Sequence, residues 1–195
     1  ASKKGTFYNT QGRKFDLGNG FYTSIRGRLY VGSDWNTELR RSDIWGTLVD
    51  ASNVVSAYPI IGIAKTSYSG GLVCRVYSND KFQNGTNVAD WVDVTVQIPG
   101  GIVTNAWYDL EIKLKPGAIE YYVNGILVFT DNAAFGSTKF SNVIIQGYNF
   151  NDPALPADGK PALLDDSYDI FWDDITAGPS GMEGVPVDLN GSYRS

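Results

Sequence analysis

A chain of 195 residues, 43% hydrophobic and 19% charged, is long and apolar enough for one large domain with a substantial core. Its net charge of −5 argues against general nucleic-acid affinity, and no apolar run approaches the roughly 20 residues of a membrane-spanning helix. With no histidine and a single cysteine, Ser-His-Asp and Cys-His catalysis, most zinc sites and any intrachain disulfide are excluded.

Period-two alternation recurs along the chain, and no sustained helical period does. In the first run Phe21, Thr23, Ile25, Gly27, Leu29 and Val31 share one face, and Tyr22, Ser24, Arg26, Arg28 and Tyr30 the other. Strands are expected next near 42–50, 58–65 and 71–78. Trp45 alternates with Ile44 beside Asp43 and Thr47, while Arg75 and Tyr77 share the polar side of the third run. Cys74 lines up with Leu72 and Val76, as a buried and inert thiol would. Val92, Val94, Val96 and Ile98 then alternate with Trp91, Asp93, Thr95 and Gln97 before a turn at Pro99-Gly100-Gly101. Leu110, Ile112 and Leu114 alternate with Asp109, Glu111, Lys113 and Lys115, and Pro116-Gly117 turns the chain. Asn124-Gly125 joins two apolar runs, as a type I′ hairpin requires, since both its central residues take positive φ. Further strands are expected near 142–149, which carries Gln146 and Tyr148, and 168–177. About eleven to thirteen short strands punctuated by turns predict an all-β fold with little helix, an antiparallel two-sheet sandwich of the jelly-roll kind.

Residues 1–177 are read as a single sandwich domain. The Pro/Asp-rich stretch 150–167 is an irregular loop of functional length. Residues 178–195, rich in Gly, Pro and Ser, are read as a linker or arm. Charge is uneven: residues 1–41 hold eight Lys/Arg against three Asp/Glu, and the remainder eight against eighteen. Opposite-charge pairs between neighbouring strands account for this, as does attraction between copies of the chain.

The segment from Trp107 to Thr130, in which a Trp opens a strand and an Asn-Gly turn follows an aromatic strand, resembles the central hairpins of the concanavalin A-like, laminin G-like superfamily. Tyr168-Asp-Ile-Phe-Trp-Asp-Asp-Ile175 resembles its closing strand, which pairs with the N-terminal one. The resemblance implies the jelly roll. It leaves function open, because that superfamily includes lectins, carbohydrate-binding modules, glycosidases, polysaccharide lyases, adhesion domains and viral surface proteins. Its glycosidases set Glu-x-Asp-x-x-Glu along one strand. Here Asp169 and Asp173 flank Phe171 with no Glu in the run, roughly 13 Å apart if the strand is regular. Retaining hydrolysis needs carboxyls about 5–5.5 Å apart.

Two further sites are expected. Oxygen ligands at Asn151, Asp152, Asp173 and Asp174 suit a structural calcium ion. Aromatic and polar residues on the polar sides of their strands, namely Trp45, Arg75, Tyr77, Trp91, Asp93, Gln97, Gln146 and Tyr148, suit a sugar, whose apolar face stacks on a ring while Asp, Gln and Arg take its hydroxyls. The same residue types dominate protein interfaces. The expected function is therefore a non-catalytic carbohydrate-binding module of an exported or cell-surface protein. The alternatives are a structural or adhesion subunit of a surface layer, filament or virion that assembles by protein–protein contacts, including contacts between its own copies, and a polysaccharide-active glycosidase or lyase.

Overall fold

The computed structural model describes residues 10–66, 69–83, 86–148, 168–179 and 185–186. Among them are fifteen strands: β1 (Thr10–Asp16), β2 (Ser24–Val31), β3 (Arg40–Trp45), β4 (Leu48–Val49), β5 (Val55–Ala57), β6 (Ile60–Lys65), β7 (Leu72–Gln83), β8 (Thr86–Asp93), β9 (Ala106–Lys115), β10 (Ala118–Val123), β11 (Ile126–Asp131), β12 (Lys139–Phe140), β13 (Asn142–Tyr148), β14 (Phe171–Gly178) and β15 (Val185–Pro186). They form a six-stranded sheet in the order β1-β13-β3-β6-β7-β8, a second in the order β11-β10-β9-β2-β14-β15, and a small sheet β12-β4-β5. Helical structure among the described residues is limited to two 3-10 turns, Ser33–Asn36 and Thr95–Gln97.

The two large sheets pack face to face over the residues that alternation directs inward. Ile44, Ile61, Ile63, Cys74 and Val76 of the first sheet meet Ile25, Leu29, Leu110, Ile112 and Ile119 of the second, all without solvent exposure. Each fully buried aliphatic side chain contributes about 1.5–3 kcal/mol before its entropy cost. β9 shows the cause most plainly, since Tyr108, Leu110, Ile112 and Leu114 are buried while the residues between them are not. The hairpin at Asn124-Gly125 takes φ of 51° and 77°, the left-handed pair a type I′ turn requires. Polar links cross the layers, among them the Asn79 amide of β7, which donates to Asp131 Oδ2 of β11 at 2.7 Å. The Tyr121 hydroxyl of β10 donates to the Tyr77 carbonyl of β7 at 3.0 Å, and Trp172 Nε1 of β14 donates to Ser42 Oγ of β3 at 2.9 Å.

The structure departs from the sequence expectation in four places. Phe21 is 66% exposed, because β2 begins only at Ser24. The run through Ile98 breaks at Asp93. There Asp93 Oδ1 accepts the Thr95 amide at 2.8 Å and the Thr95 hydroxyl at 2.6 Å, an Asx turn that competes with the ladder. Thr95 Oγ1 in turn accepts the Cys74 amide at 2.9 Å, and Val96 is left 88% exposed. The closing strand starts at Phe171 rather than 168, so Asp169 precedes it, and Tyr168 instead hydrogen-bonds the Arg41 backbone with its hydroxyl. The second sheet also runs past the expected domain end at 177: β14 reaches Gly178, and Val185–Pro186 pairs with Ala177 and Thr176. The loop 150–167, and the residues of 178–195 other than 178–179 and 185–186, lie outside the described residues.

Candidate ligand face

Antiparallel register sets two rows side by side on the first sheet. Gln146, Asp43, Gly62, Arg75 and Asp93 align across β13, β3, β6, β7 and β8. One step along, at i and i+2 spacing, Ile144, Trp45, Ile60, Tyr77 and Trp91 align in the same way. Residues at this spacing share a face, and the intervening Ile44, Ile61 and Val76 fill the core, so both rows belong to the face turned away from it.

Asp43 is the centre of the polar row. Its side chain is 1% exposed, and Oδ2 accepts Arg41 Nε at 2.7 Å and Gln146 Nε2 at 3.1 Å. Its other oxygen, Oδ1, is buried with no hydrogen-bond partner. A buried carboxylate oxygen left without a donor costs about 1–3 kcal/mol or more. Gly62 lies between Asp43 and Arg75 in register, and the absent side chain is what lets Asp43 settle there. A Cβ at this position would overlap Asp43 Oδ1 and the Ser42 carbonyl and lie 2.8 Å from Asp43 Cα.

The aromatic row is half-buried. The Arg75 guanidinium carbon lies 4.3 Å from the centroid of the Trp91 ring and that of Arg41 lies 4.7 Å from it, while Tyr77 meets the ring edge-on at 5.4 Å. Cation–π contacts of this kind contribute about 0.5–2 kcal/mol each and fix the ring's orientation. The face therefore offers ring surfaces and guanidinium donors side by side. At the other end of the row, Trp45 packs edge-to-face against Tyr58 at 6.2 Å. Tyr58 is 48% exposed and forms a wall of a pocket of about 430 Å³, which Lys14, Asp16, Asn19, Asn53 and Lys139 also line.

Of the residues singled out from sequence, Trp45, Arg75, Tyr77, Trp91, Asp93 and Gln146 share this face. Tyr148 ends β13, its backbone paired with Thr10. Gln97 is displaced into the exposed 3-10 turn after β8, since the Asx turn at Asp93 removes it from the sheet. Of the expected calcium ligands, Asn151 and Asp152 lie outside the described residues. Strict alternation would put Asp173 and Asp174 on opposite sides of their strand. An extra residue between Asp173 and Thr176 makes a bulge with Asp174 at φ 51°, which turns Asp174 onto Arg28, the register partner of Asp173, at 3.2 Å. Among the described residues no three Asp, Glu or Cys side chains gather as a metal site.

Sequence reasoning missed Arg41, Asp43 as a buried acceptor, Tyr58 and Lys139. The alternation of Arg41 with Asp43 in Arg40-Arg41-Ser42-Asp43 was the available signal for the first two. It also missed a second aromatic row on the outer face of the other sheet, Phe171, Tyr30 and Trp107, aligned by register across β14, β2 and β9. Phe171 and Trp107 are 56% and 40% exposed, and Arg28 lies 5.3 Å from the Trp107 ring.

No protein-family model and no curated protein sequence matches the chain. Solved structures do. The chain is similar to a sialidase, at 12% identity and a TM-score of 0.49 over 91% of this chain, although it spans only 15% of that protein's length. It is similar to a tetrameric galectin from the ball sponge Cinachyrella sp., at 10% identity and a TM-score of 0.49, covering 87% of this chain and 99% of the galectin. It is also similar to the carbohydrate-binding module CBM66 from Bacillus subtilis, at 12% identity and a TM-score of 0.39, covering 71% and 81% of the two chains.

Proposed function

We propose that the chain is a non-catalytic carbohydrate-binding module of an exported or surface protein, and that it binds its glycan on the outer face of the first sheet. The observation that carries this reading is the pair of adjacent rows, one aromatic through Trp45, Tyr77 and Trp91 and one polar through Gln146, Asp43 and Arg75. A pyranose stacked on the Trp91 ring, with Tyr77 at the ring's edge, turns its ring hydroxyls toward the polar row. The Arg75 guanidinium, beside the Trp91 ring, donates to the sugar's oxygens. The lack of histidine and the position of Asp169 ahead of β14 support a binding role over hydrolysis or elimination. A glycan array followed by titration calorimetry tests the reading. Trp91→Ala is expected to weaken the best hit at least tenfold, about 1.4 kcal/mol. An array without hits would sink it.

The exposed row Phe171–Tyr30–Trp107 with Arg28 favours a second reading, assembly through protein contacts on the opposite face, since Trp, Tyr and Arg dominate such interfaces. Sedimentation separates the two. A monomer at high concentration counts against assembly between copies. A concentration-dependent oligomer that Trp107→Ala dissolves supports it.

A further inference from the structure

The pocket beside Tyr58 continues the aromatic row. Trp45 is the last ring of the row and packs on Tyr58, and Tyr58 is a pocket wall. From Trp91 to Trp45 the row crosses three strand spacings, roughly 14 Å, so a ligand that uses both the row and the pocket has more than one sugar ring. At about 430 Å³ the pocket falls within the range of small-ligand sites, roughly 300–1,000 Å³.

The lining is about half polar, with Val49 and Val55 among its apolar members, and carries one unbalanced charge. Lys14 and Asp16 pair at 2.8 Å and offset one another. Asn142 and Ser141 are committed to the Thr47 backbone, at 3.0 and 3.1 Å. Lys139, on β12, makes no ion pair with a described residue, and the amides of Asn19 and Asn53 make no side-chain hydrogen bond with one. The pocket thus presents one ammonium, two amides and an aromatic wall. That combination fits an anionic, polyhydroxylated ring and leaves a neutral ring without a counterpart to the charge.

We infer that this pocket is an end subsite for a carboxylate-bearing sugar, a uronate-type unit held by Lys139, at the terminus of an oligosaccharide laid along the aromatic row. The inference rests on the glycan-binding reading. The probes are hexuronate-containing oligosaccharides and their carboxyl-reduced neutral counterparts, titrated against the full chain. The acidic form is expected to bind about tenfold more tightly at low ionic strength, with the gap closing as salt rises. Lys139→Gln should abolish the gap by bringing the acidic form down towards the neutral one; Lys139→Arg should keep it; Trp91→Ala should weaken both forms together. Equal affinity of the acidic and reduced forms, or a gap that survives Lys139→Gln, overturns the subsite and leaves the glycan face standing. If neither form binds while neutral glycans do on the array, the subsite again fails alone. If no glycan binds at all, both readings fall.

Discussion

Gly62→Ala probes the packing beneath the candidate face. The backbone at Gly62 lies in an ordinary extended strand, so alanine alone would raise stability by about 0.4–1 kcal/mol through the unfolded chain. Here it has no room. The added Cβ would overlap Asp43 Oδ1 and the Ser42 carbonyl and lie 2.8 Å from Asp43 Cα, and two of these three atoms are backbone in the paired strand. Overpacking costs typically 1–3 kcal/mol, and rigid backbone neighbours put this site at the upper end. The net expectation is a loss of about 2 kcal/mol. With a urea m-value of about 2 kcal/mol/M, the midpoint falls by about 1 M. Gly71→Ala is the control, because nothing lies within 4 Å of its added Cβ and it should be neutral or slightly stabilising. Equilibrium unfolding followed by tryptophan fluorescence measures both. A Gly62→Ala midpoint equal to or above the wild type would refute the claim that Gly62 is kept free of a side chain for Asp43.

Asp131 is 1% exposed and accepts the Asn79 amide at 2.7 Å and the Ala133 amide at 2.9 Å, so Asp131→Ala strands two backbone donors and is expected to cost about 2–4 kcal/mol, read as a fall in Tm. The Tyr122 hydroxyl donates to Glu120 at 2.7 Å, which with some burial pushes its pKa from 10.0 up to about 12. The fold thus favours the neutral phenol: its contribution is complete below pH 10 and is lost as the pH rises from 10 towards 12, where the unfolded chain ionises first. Ultraviolet titration of Glu120→Gln should show one tyrosine ionising earlier than in the wild type. Burial pushes the Cys74 thiol far above its ordinary range, so a thiol reagent should leave it unmodified in the native protein and label it on unfolding; rapid native labelling would contradict its burial.

Much of the fold was legible because the core obeys alternation. Leu110, Ile112, Leu114, Ile25 and Leu29 are buried as their spacing requires, and the turn at Asn124-Gly125 was marked by residue type. The misreadings share one cause, local polar bonding that competes with the ladder. Asp93 and Thr95 end a strand whose hydrophobic pattern continues through Val96 and Ile98, and one extra residue after Asp173 reverses the side on which Asp174 emerges. The site was half legible. Trp91, Tyr77, Arg75 and Gln146 could be recognised on the polar sides of their own strands. Which strands adjoin is a long-range property: Gln146 reaches Asp43 across 103 residues of sequence, and Gly62 frees space for a carboxylate from another strand. Periodicity holds no information on either.

The hydrogen bonds from Tyr121 to the Tyr77 carbonyl and from Trp172 to Ser42 join the two layers through their apolar interior. Apolar contacts tolerate sliding, whereas a directional bond 2.9–3.0 Å long does not, so these links oppose shear of one sheet over the other. Tyr77 and Ser42 belong to the two strands that carry most of the candidate face, β7 and β3. Tying these two strands to the opposite layer sets the spacing between the rings and the polar row before any ligand arrives. An encounter then orders little of the protein, and the entropic toll of association falls mainly on the ligand. A face braced from behind in this way suits an extended, semi-rigid partner whose repeat matches the fixed row spacing, and it disfavours one that the protein would have to close around.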